Sequence, residues 1–151
     1  MLPNPIADVT PAPAHAAAPL PVPQHFPVRV YWEDTDAGGV VFYANYLKYF
    51  ERARTEWLRH LGFGQQALRE ETGAIFIVTH TQLRFCAPAR LDDLLAITVD
   101  LRSLGRATLQ IAQQAWRGAD LLAEGDIRIG CVDQGTFKPR RIPTPLLDAL
   151  K

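Results

Sequence analysis

The sequence predicts a two-layer α+β domain in which one long helix lies on a curled antiparallel sheet. Three observations point there. A helical apolar repeat runs from Tyr43 to Leu61 and meets a stop signal at Gly62. From Ile75 onward the apolar period changes to two and persists through four long strands. The breaks between those strands are short, which suits antiparallel neighbours. One apolar helix face and one apolar sheet face can then bury each other.

The totals agree with a single domain of 151 residues. Hydrophobic residues make up 48% and charged residues 21%, enough to build a core. The formal net charge is +0, which gives no reason to expect a nucleic-acid surface. Residues 1–75 carry six Lys/Arg against eight Asp/Glu, and residues 76–151 carry ten against eight, so the second half has the small basic excess that phosphate contacts would use. No apolar run approaches the roughly 20 residues of a membrane span, and no basic segment leads into an apolar signal core. The cytoplasm is the expected location. Cys86 and Cys131 show neither metal nor disulfide spacing, and both are expected to be buried, reduced thiols.

Taken in order, residues 1–24 hold seven of the twelve prolines and no Lys or Arg. Such a stretch cannot offset its ordering entropy by burial, so a disordered or polyproline-like tail is expected there, ahead of a domain over 25–151. Val28 to Glu33 alternates and is rich in β-formers, which predicts the first strand. A short loop with Asp34, Asp36, Gly38 and Gly39 follows, and then the long helix. Tyr43, Tyr46 or Leu47, Phe50, Ala53 or Arg54, Trp57 and Leu61 mark its apolar face. Gly64 to Thr72 predicts a second, short helix closed by Gly73. In the strand from Ile75, one face holds Ile75, Ile77, Thr79, Thr81, Leu83 and Phe85, and the other holds Phe76, Val78, His80, Gln82 and Arg84. Leu95, Ile97, Val99 and Leu101 predict the next strand, up to a turn near Gly105. Leu109, Ile111 and Ala115 mark another, and Ala123, Ile127, Ile129 and Cys131 mark the last. Pro143 to Leu150 has proline at its start, as short terminal helices often do.

The loop carries the chemistry-bearing residues. A carboxylate that feeds into a helix N-terminus sits beside free backbone N–H groups, which favour negative charge in a ligand. That arrangement suits a reaction in which an oxyanion develops on a carbonyl. Asp36 can act as nucleophile or as general base, and residue types do not decide between the two. The competing structural reading is that Asp36 caps a turn or the helix, as Asp does in most such loops.

Val28-Arg-Val-Tyr-Trp-Glu-Asp-Thr-Asp-Ala-Gly-Gly-Val-Val-Phe-Tyr-Ala-Asn-Tyr46, with Phe50-Glu-Arg-Ala-Arg-Thr-Glu-Trp-Leu58, closely resembles the hot-dog-fold acyl-CoA thioesterases of the 4-hydroxybenzoyl-CoA thioesterase type. Cys86-Ala-Pro-Ala-Arg-Leu-Asp-Asp93 and Cys131-Val-Asp133 are similar to the Tol–Pal-associated branch of that group. The resemblance spans about Phe26 to Pro143. It implies a five-stranded antiparallel sheet wrapped around the central helix, pairing of subunits into dimers or tetramers, and acyl-CoA bound at the subunit interface. It also implies that Asp36 is the catalytic carboxylate and that the Tyr43 backbone N–H polarises the thioester carbonyl. The Tol–Pal branch often has His at the Tyr43 position, a departure that bears on substrate preference more than on chemistry.

Gly38, Gly39 and Val40 are expected to let the substrate approach the loop. Because coenzyme A carries three phosphate groups, basic residues are expected at the site mouth. Arg106, Lys138, Arg140 and Arg141 are the candidates, against a reading as ordinary solvated charges. Arg90 is expected to be structural, and Asp34 to shape the loop. The helix charges Glu51, Arg52, Arg54 and Glu56 are expected on an interface or solvated face, with an Arg52–Glu56 pair; Glu51 is a lesser candidate for a second acid. His15, His25, His60 and His80 are scattered, and none falls between Asp36 and Tyr43. A hot-dog hydratase or dehydratase, which needs a histidine base, is therefore the weaker enzymatic alternative. A non-hydrolysing partner of acyl carrier protein or of an envelope-assembly complex is the alternative of another class. No metal or organic cofactor is expected, coenzyme A being part of the substrate.

Overall fold

Sixteen residues, Asn45–His60, form the long helix α1, and they bury Tyr46, Tyr49, Phe50, Ala53 and Leu58 along one stripe. Tyr49 and Phe50 are fully buried, whereas Leu47 faces out. The structure, a computed structural model, describes residues 25–151. The expectation for residues 1–24, His15 included, lies outside the described residues. Gly62 stops α1 at positive φ while Phe63 N–H reaches back to the Leu58 carbonyl. Helix α2 (Gln65–Thr72) follows and ends at Gly73.

Six strands form one antiparallel sheet: β1 (His25–Arg29), β2 (Ala74–Phe85), β3 (Leu94–Thr98), β4 (Asp100–Leu104), β5 (Thr108–Arg117) and β6 (Asp120–Asp133). Their order is β1-β3-β5-β6-β2, with β4 also on β5. The single strand expected through Leu95 and Leu101 is divided at Val99, and both halves run along the same side of β5. The wrapped sheet of the resemblance is thus present, one of its five strands being broken in two. Helix α3 (Thr144–Ala149) closes the chain. No helix among the described residues is long and apolar enough to cross a membrane.

The inner sheet face packs on α1. Leu109, Ile111, Gln113 and Ala115 of β5 and Ala123, Ile127, Ile129 and Cys131 of β6 are buried. Contact is closest at Gly125, where an added Cβ would lie 2.4 Å from Leu83 Cδ2 and 3.1 Å from Phe50 Cε2. A side chain there would run into Leu83 of β2 and press on Phe50 of α1. Buried Gln113 ties the layers by hydrogen bonds: its Nε2 donates to the Phe50 and Thr98 carbonyls, and its Oε1 accepts from Arg54.

Four expectations are corrected. The first strand spans His25–Arg29 instead of reaching Glu33. Trp32–Asp34 is a 3-10 turn because Asp34 Oδ2 accepts the Tyr31 N–H at 2.8 Å while the Tyr31 carbonyl accepts Asp34 N–H. In β2 the two faces exchange at a bulge between Val78 and His80. Phe76 and Val78 line a cavity of about 130 Å³ under α1, yet beyond the bulge it is Leu83 and Phe85 that meet α1 residues. Cys86 is exposed, because β2 ends at Phe85 and Cys86 turns out into the loop; Cys131 is buried as expected. Glu56 pairs with Arg59, not Arg52.

Candidate active site

The aspartate loop is a small closed unit. Thr35 and Val41 form an antiparallel bridge, Asp36 N–H donates to the Val40 carbonyl at 2.9 Å, and Gly39 N–H donates to the Asp36 carbonyl at 3.0 Å. Gly39 sits at φ +77, which favours glycine. Gly38 matters for a different reason. Its N–H donates to Asp36 Oδ1 at 2.8 Å, and a Cβ there would stand 3.1 Å from that oxygen. Val40 N–H reaches the same oxygen at 3.5 Å, a weak contact. Asp36 Oδ1 is therefore held by its own loop, while Oδ2 has no partner among the described residues and the residue is exposed.

The loop is anchored from two sides. Val41 is buried and donates to the Ala89 carbonyl at 2.8 Å, and Val40 pairs with Arg90 across a β-bridge. Ala89 N–H donates to the hydroxyl of buried Tyr46 at 3.3 Å. The segment after β2 is itself clamped by Asp93, which accepts Arg90 N–H and the Arg117 guanidinium, each at 2.8 Å. Burial pushes the Asp93 carboxyl up, but those two donors outweigh it and hold the group below its usual range. On the other side is Asp34, buried at 7% exposure, whose carbonyl accepts both Phe42 N–H at 2.9 Å and Asn45 Nδ2 at 2.8 Å. Asp34 shapes the loop, as expected, through its carboxylate and its carbonyl alike.

Tyr43 lies two residues before α1, in the turn closed by Asn45 N–H on the Phe42 carbonyl. The N–H groups of Tyr43 and Ala44 have no acceptor among the described residues. An aromatic wall stands beside them: Tyr43 meets Phe42 at 4.8 Å and Phe85 at 6.3 Å between ring centroids, and Phe85 meets Tyr46 at 5.5 Å. Phe42, Tyr43 and Phe85 are each more than 40% exposed, so one side of this wall is uncovered within a single chain. Behind it the Tyr49 hydroxyl is buried with no hydrogen-bond partner among the described residues; burial, and then the nearby Asp34 carboxylate, push this phenol up.

Asp36, Gly38, Gly39 and Val40 are brought together in the closed loop, and Tyr43 follows it in the turn that opens α1. The basic candidates lie elsewhere. The aspartate loop sits where β2 ends, near Phe85 and Ala89. Arg106, Lys138 and Arg140 cluster where β2 begins: Ala74 pairs with Asp133, Asp133 N–H donates to the Lys138 carbonyl, and Ile142 N–H donates to the Arg106 carbonyl. Twelve strand residues separate the two ends, roughly 40 Å. Arg140 is also engaged, donating to the Thr72 carbonyl at 2.6 Å and standing 3.8 Å from Asp133 Oδ2. Glu51 is exposed and accepts the Thr55 hydroxyl. His60 packs edge-on against Phe26 at the far end of α1. The residue that sequence reasoning passed over is Asn45, one of three buried polar or charged residues among those described. A polar residue opening an apolar helix face was the available signal.

Residues 30–150 match the thioesterase-like superfamily. The chain is 47% identical over 118 residues to the Haemophilus influenzae protein named acyl-CoA thioesterase YbgC, covering 78% of this chain and 87% of that one. It is 45% identical over 127 residues to the acyl-CoA thioester hydrolase YbgC of Escherichia coli O6:H1, covering 83% and 94%. Among solved structures, the Bartonella henselae "Probable Thioesterase" superposes with a TM-score of 0.75 at 36% identity, covering 79% of this chain and 98% of that one.

Proposed function

Because the chain belongs to the thioesterase-like superfamily, we propose that it is an acyl-CoA thioesterase working through Asp36 and the Tyr43 amide. The observation that carries this reading is an exposed carboxylate oxygen on the closed loop followed, in the turn that opens α1, by an N–H that has no acceptor among the described residues. The thioester carbonyl accepts the Tyr43 N–H. As base, Asp36 takes a proton from water while the water oxygen bonds to the carbonyl carbon. The tetrahedral oxyanion then collapses, the C–S bond breaks, and the thiolate recovers the proton. As nucleophile, Asp36 displaces the thiolate itself, and water opens the resulting anhydride. Either route uses a carboxylate and an amide, with no call for a metal or organic cofactor. Gly38, Gly39 and Val40 leave the approach to the carbonyl open.

The reading extends to assembly. β2 is a twelve-residue edge strand without proline, whereas the opposite edge, β1, is five residues long and carries Pro27. A long bare edge invites a partner strand, and antiparallel pairing of β2 with a second copy obeys two-fold symmetry. Such pairing covers the aromatic wall and sets the beginning of one β2 beside the end of the other. The partner subunit's Arg106 and the partner subunit's Lys138 would then reach the phosphates of a coenzyme A held at Asp36. Acyl carrier protein presents the same thioester and is a second carrier for this site. Substrates of both kinds belong to the cytoplasm, which is the proposed location.

The test is thiol release from acetyl-, hexanoyl-, palmitoyl- and benzoyl-CoA and from acyl carrier protein esters. Turnover of at least one ester supports the reading and names its acyl class; no thiol release from any of them refutes it.

A further inference from the structure

We propose that Asn45 is the positioning residue that aims the Tyr43 N–H at the thioester carbonyl. This rests on the reading of Tyr43 as the oxyanion donor. The direction of an amide N–H is fixed once the carbonyl of the same peptide is fixed, because in a trans peptide the two point opposite ways. No cis peptide occurs among the described residues. The carbonyl of the Phe42–Tyr43 peptide accepts Asn45 N–H at 2.8 Å and so points toward the start of α1. The Tyr43 N–H therefore points away from the helix, outward beside the aspartate loop. That turn can still swing as a body unless something outside it holds both ends.

The Asp34 carbonyl supplies the hold. It accepts Phe42 N–H at 2.9 Å at one end of the turn and Asn45 Nδ2 at 2.8 Å at the other. Asp34 is itself fixed through its carboxylate on Tyr31 N–H. Asn45 is 8% exposed, so water does not readily replace its amide, and its side-chain hydrogen bond among the described residues goes to the Asp34 carbonyl. Its side chain thus connects the residue two before Asp36 to the peptide two after Tyr43, and sets one reacting group relative to the other. Asparagine suits the place. Its amide donates, whereas the isosteric aspartate would set a carboxylate against a carbonyl, and alanine would leave the Asp34 carbonyl with one donor.

The test uses full-length protein and two readouts. In steady-state assays with the acyl-CoA that the wild type turns over fastest, Asn45→Ala lowers kcat on the order of 10- to 100-fold, short of the loss expected for deleting an oxyanion donor outright. KM stays within about threefold, since the contact acts in the transition state. Asn45→Ser, which restores a short donor, recovers part of kcat. In the second readout the same acyl-CoA, carrying a 13C carbonyl, is bound to Asp36→Asn protein so that the ester survives, and its infrared carbonyl stretch is recorded. The stretch shifts to lower frequency on binding when Asn45 is present, and returns toward the free value in the Asn45→Ala, Asp36→Asn protein. Equal shifts in both proteins, or a fall in kcat tracked only by loss of folded protein, would overturn the assignment of Asn45. A shift absent from both, with wild-type turnover intact, overturns Tyr43 as donor and Asn45 with it. Should Asn45→Ala not fold, Asn45→Ser alone decides by the same carbonyl shift.

Discussion

Asp36 owes its geometry to a residue with no side chain. Gly38 both donates to Oδ1 and leaves empty the volume that a methyl group would fill 3.1 Å from that oxygen. Gly38→Ala is therefore expected to lower kcat by about 10- to 100-fold, the scale of a slightly misplaced reacting group, while the melting temperature changes by no more than a degree or two (~). Steady-state kinetics with a thermal melt would check this; an unchanged kcat would show that the carboxylate does not depend on the loop. At this scale much was legible. Asp36, Gly38 and Gly39 fall within four residues just ahead of a helix, so the sequence suggested a loop suited to an oxyanion, while the part given to Tyr43 came only from the family resemblance. Asn45 stood out only as a polar residue opening an apolar helix face; its partner, a carbonyl eleven residues away, was not legible, because no residue-type pattern reports on a carbonyl. Cys86 was misread for a related reason: it continues an alternating run that the strand itself abandons one residue earlier.

The elements behave as clamps on that loop. Leu83 of β2 and Phe50 of α1 crowd Gly125 so closely that Gly125→Ala is expected to destabilise the fold by about 1–3 kcal/mol, the usual cost of overpacking. Denaturant unfolding of the pure variant checks it, and equal stability would mean that Leu83 and Phe50 yield freely. The segment after β2 is clamped by Asp93, whose folded carboxyl is held below its usual value by Arg90 N–H and Arg117 despite the opposing effect of burial. A depressed pKa gives stability that is complete above the unfolded value near pH 4 and is lost as pH falls through the folded value. Asp93→Asn is thus expected to be less stable than wild type at pH 7, with the difference shrinking below about pH 4. A difference that grows on acidification would reverse the sign of this account. The helix, its glycine stop and three of the four long strands could be read from periodicity; the fourth is divided at Val99. The bulge in β2 could not, because its apolar residues satisfy two alternations in succession and only pairing with β6 shows where one replaces the other. The end of β1 was misplaced because a side chain, Asp34, curls the backbone where β-propensity alone would extend it.

The whole molecule separates what the sequence appeared to offer as one site. The carboxylate lies at one end of β2 and the basic group at the other, a separation that depends on strand order and is absent from residue spacing. The proposed two-fold pairing along β2 would reunite them between subunits, which makes a prediction about mixed dimers. Asp36→Asn is expected to be nearly inactive, and a chain carrying Arg106→Ala and Lys138→Ala to have a raised KM for acyl-CoA. Co-expressed, the two chains form heterodimers in which one of the two sites is fully native, so the activity of the purified heterodimer at low substrate recovers toward half of wild type. No recovery above the mixed homodimers would place the phosphate contacts in the same chain as Asp36, or nowhere. The central claim is simpler and is tested most directly by one comparison: kcat for thioester hydrolysis by wild type and by Asp36→Asn, on the best ester, at matched folding and oligomeric state. A loss of about 100-fold or more is expected for removing the base or nucleophile. Equal rates in the two proteins would contradict it, and the chemistry would then belong to another group.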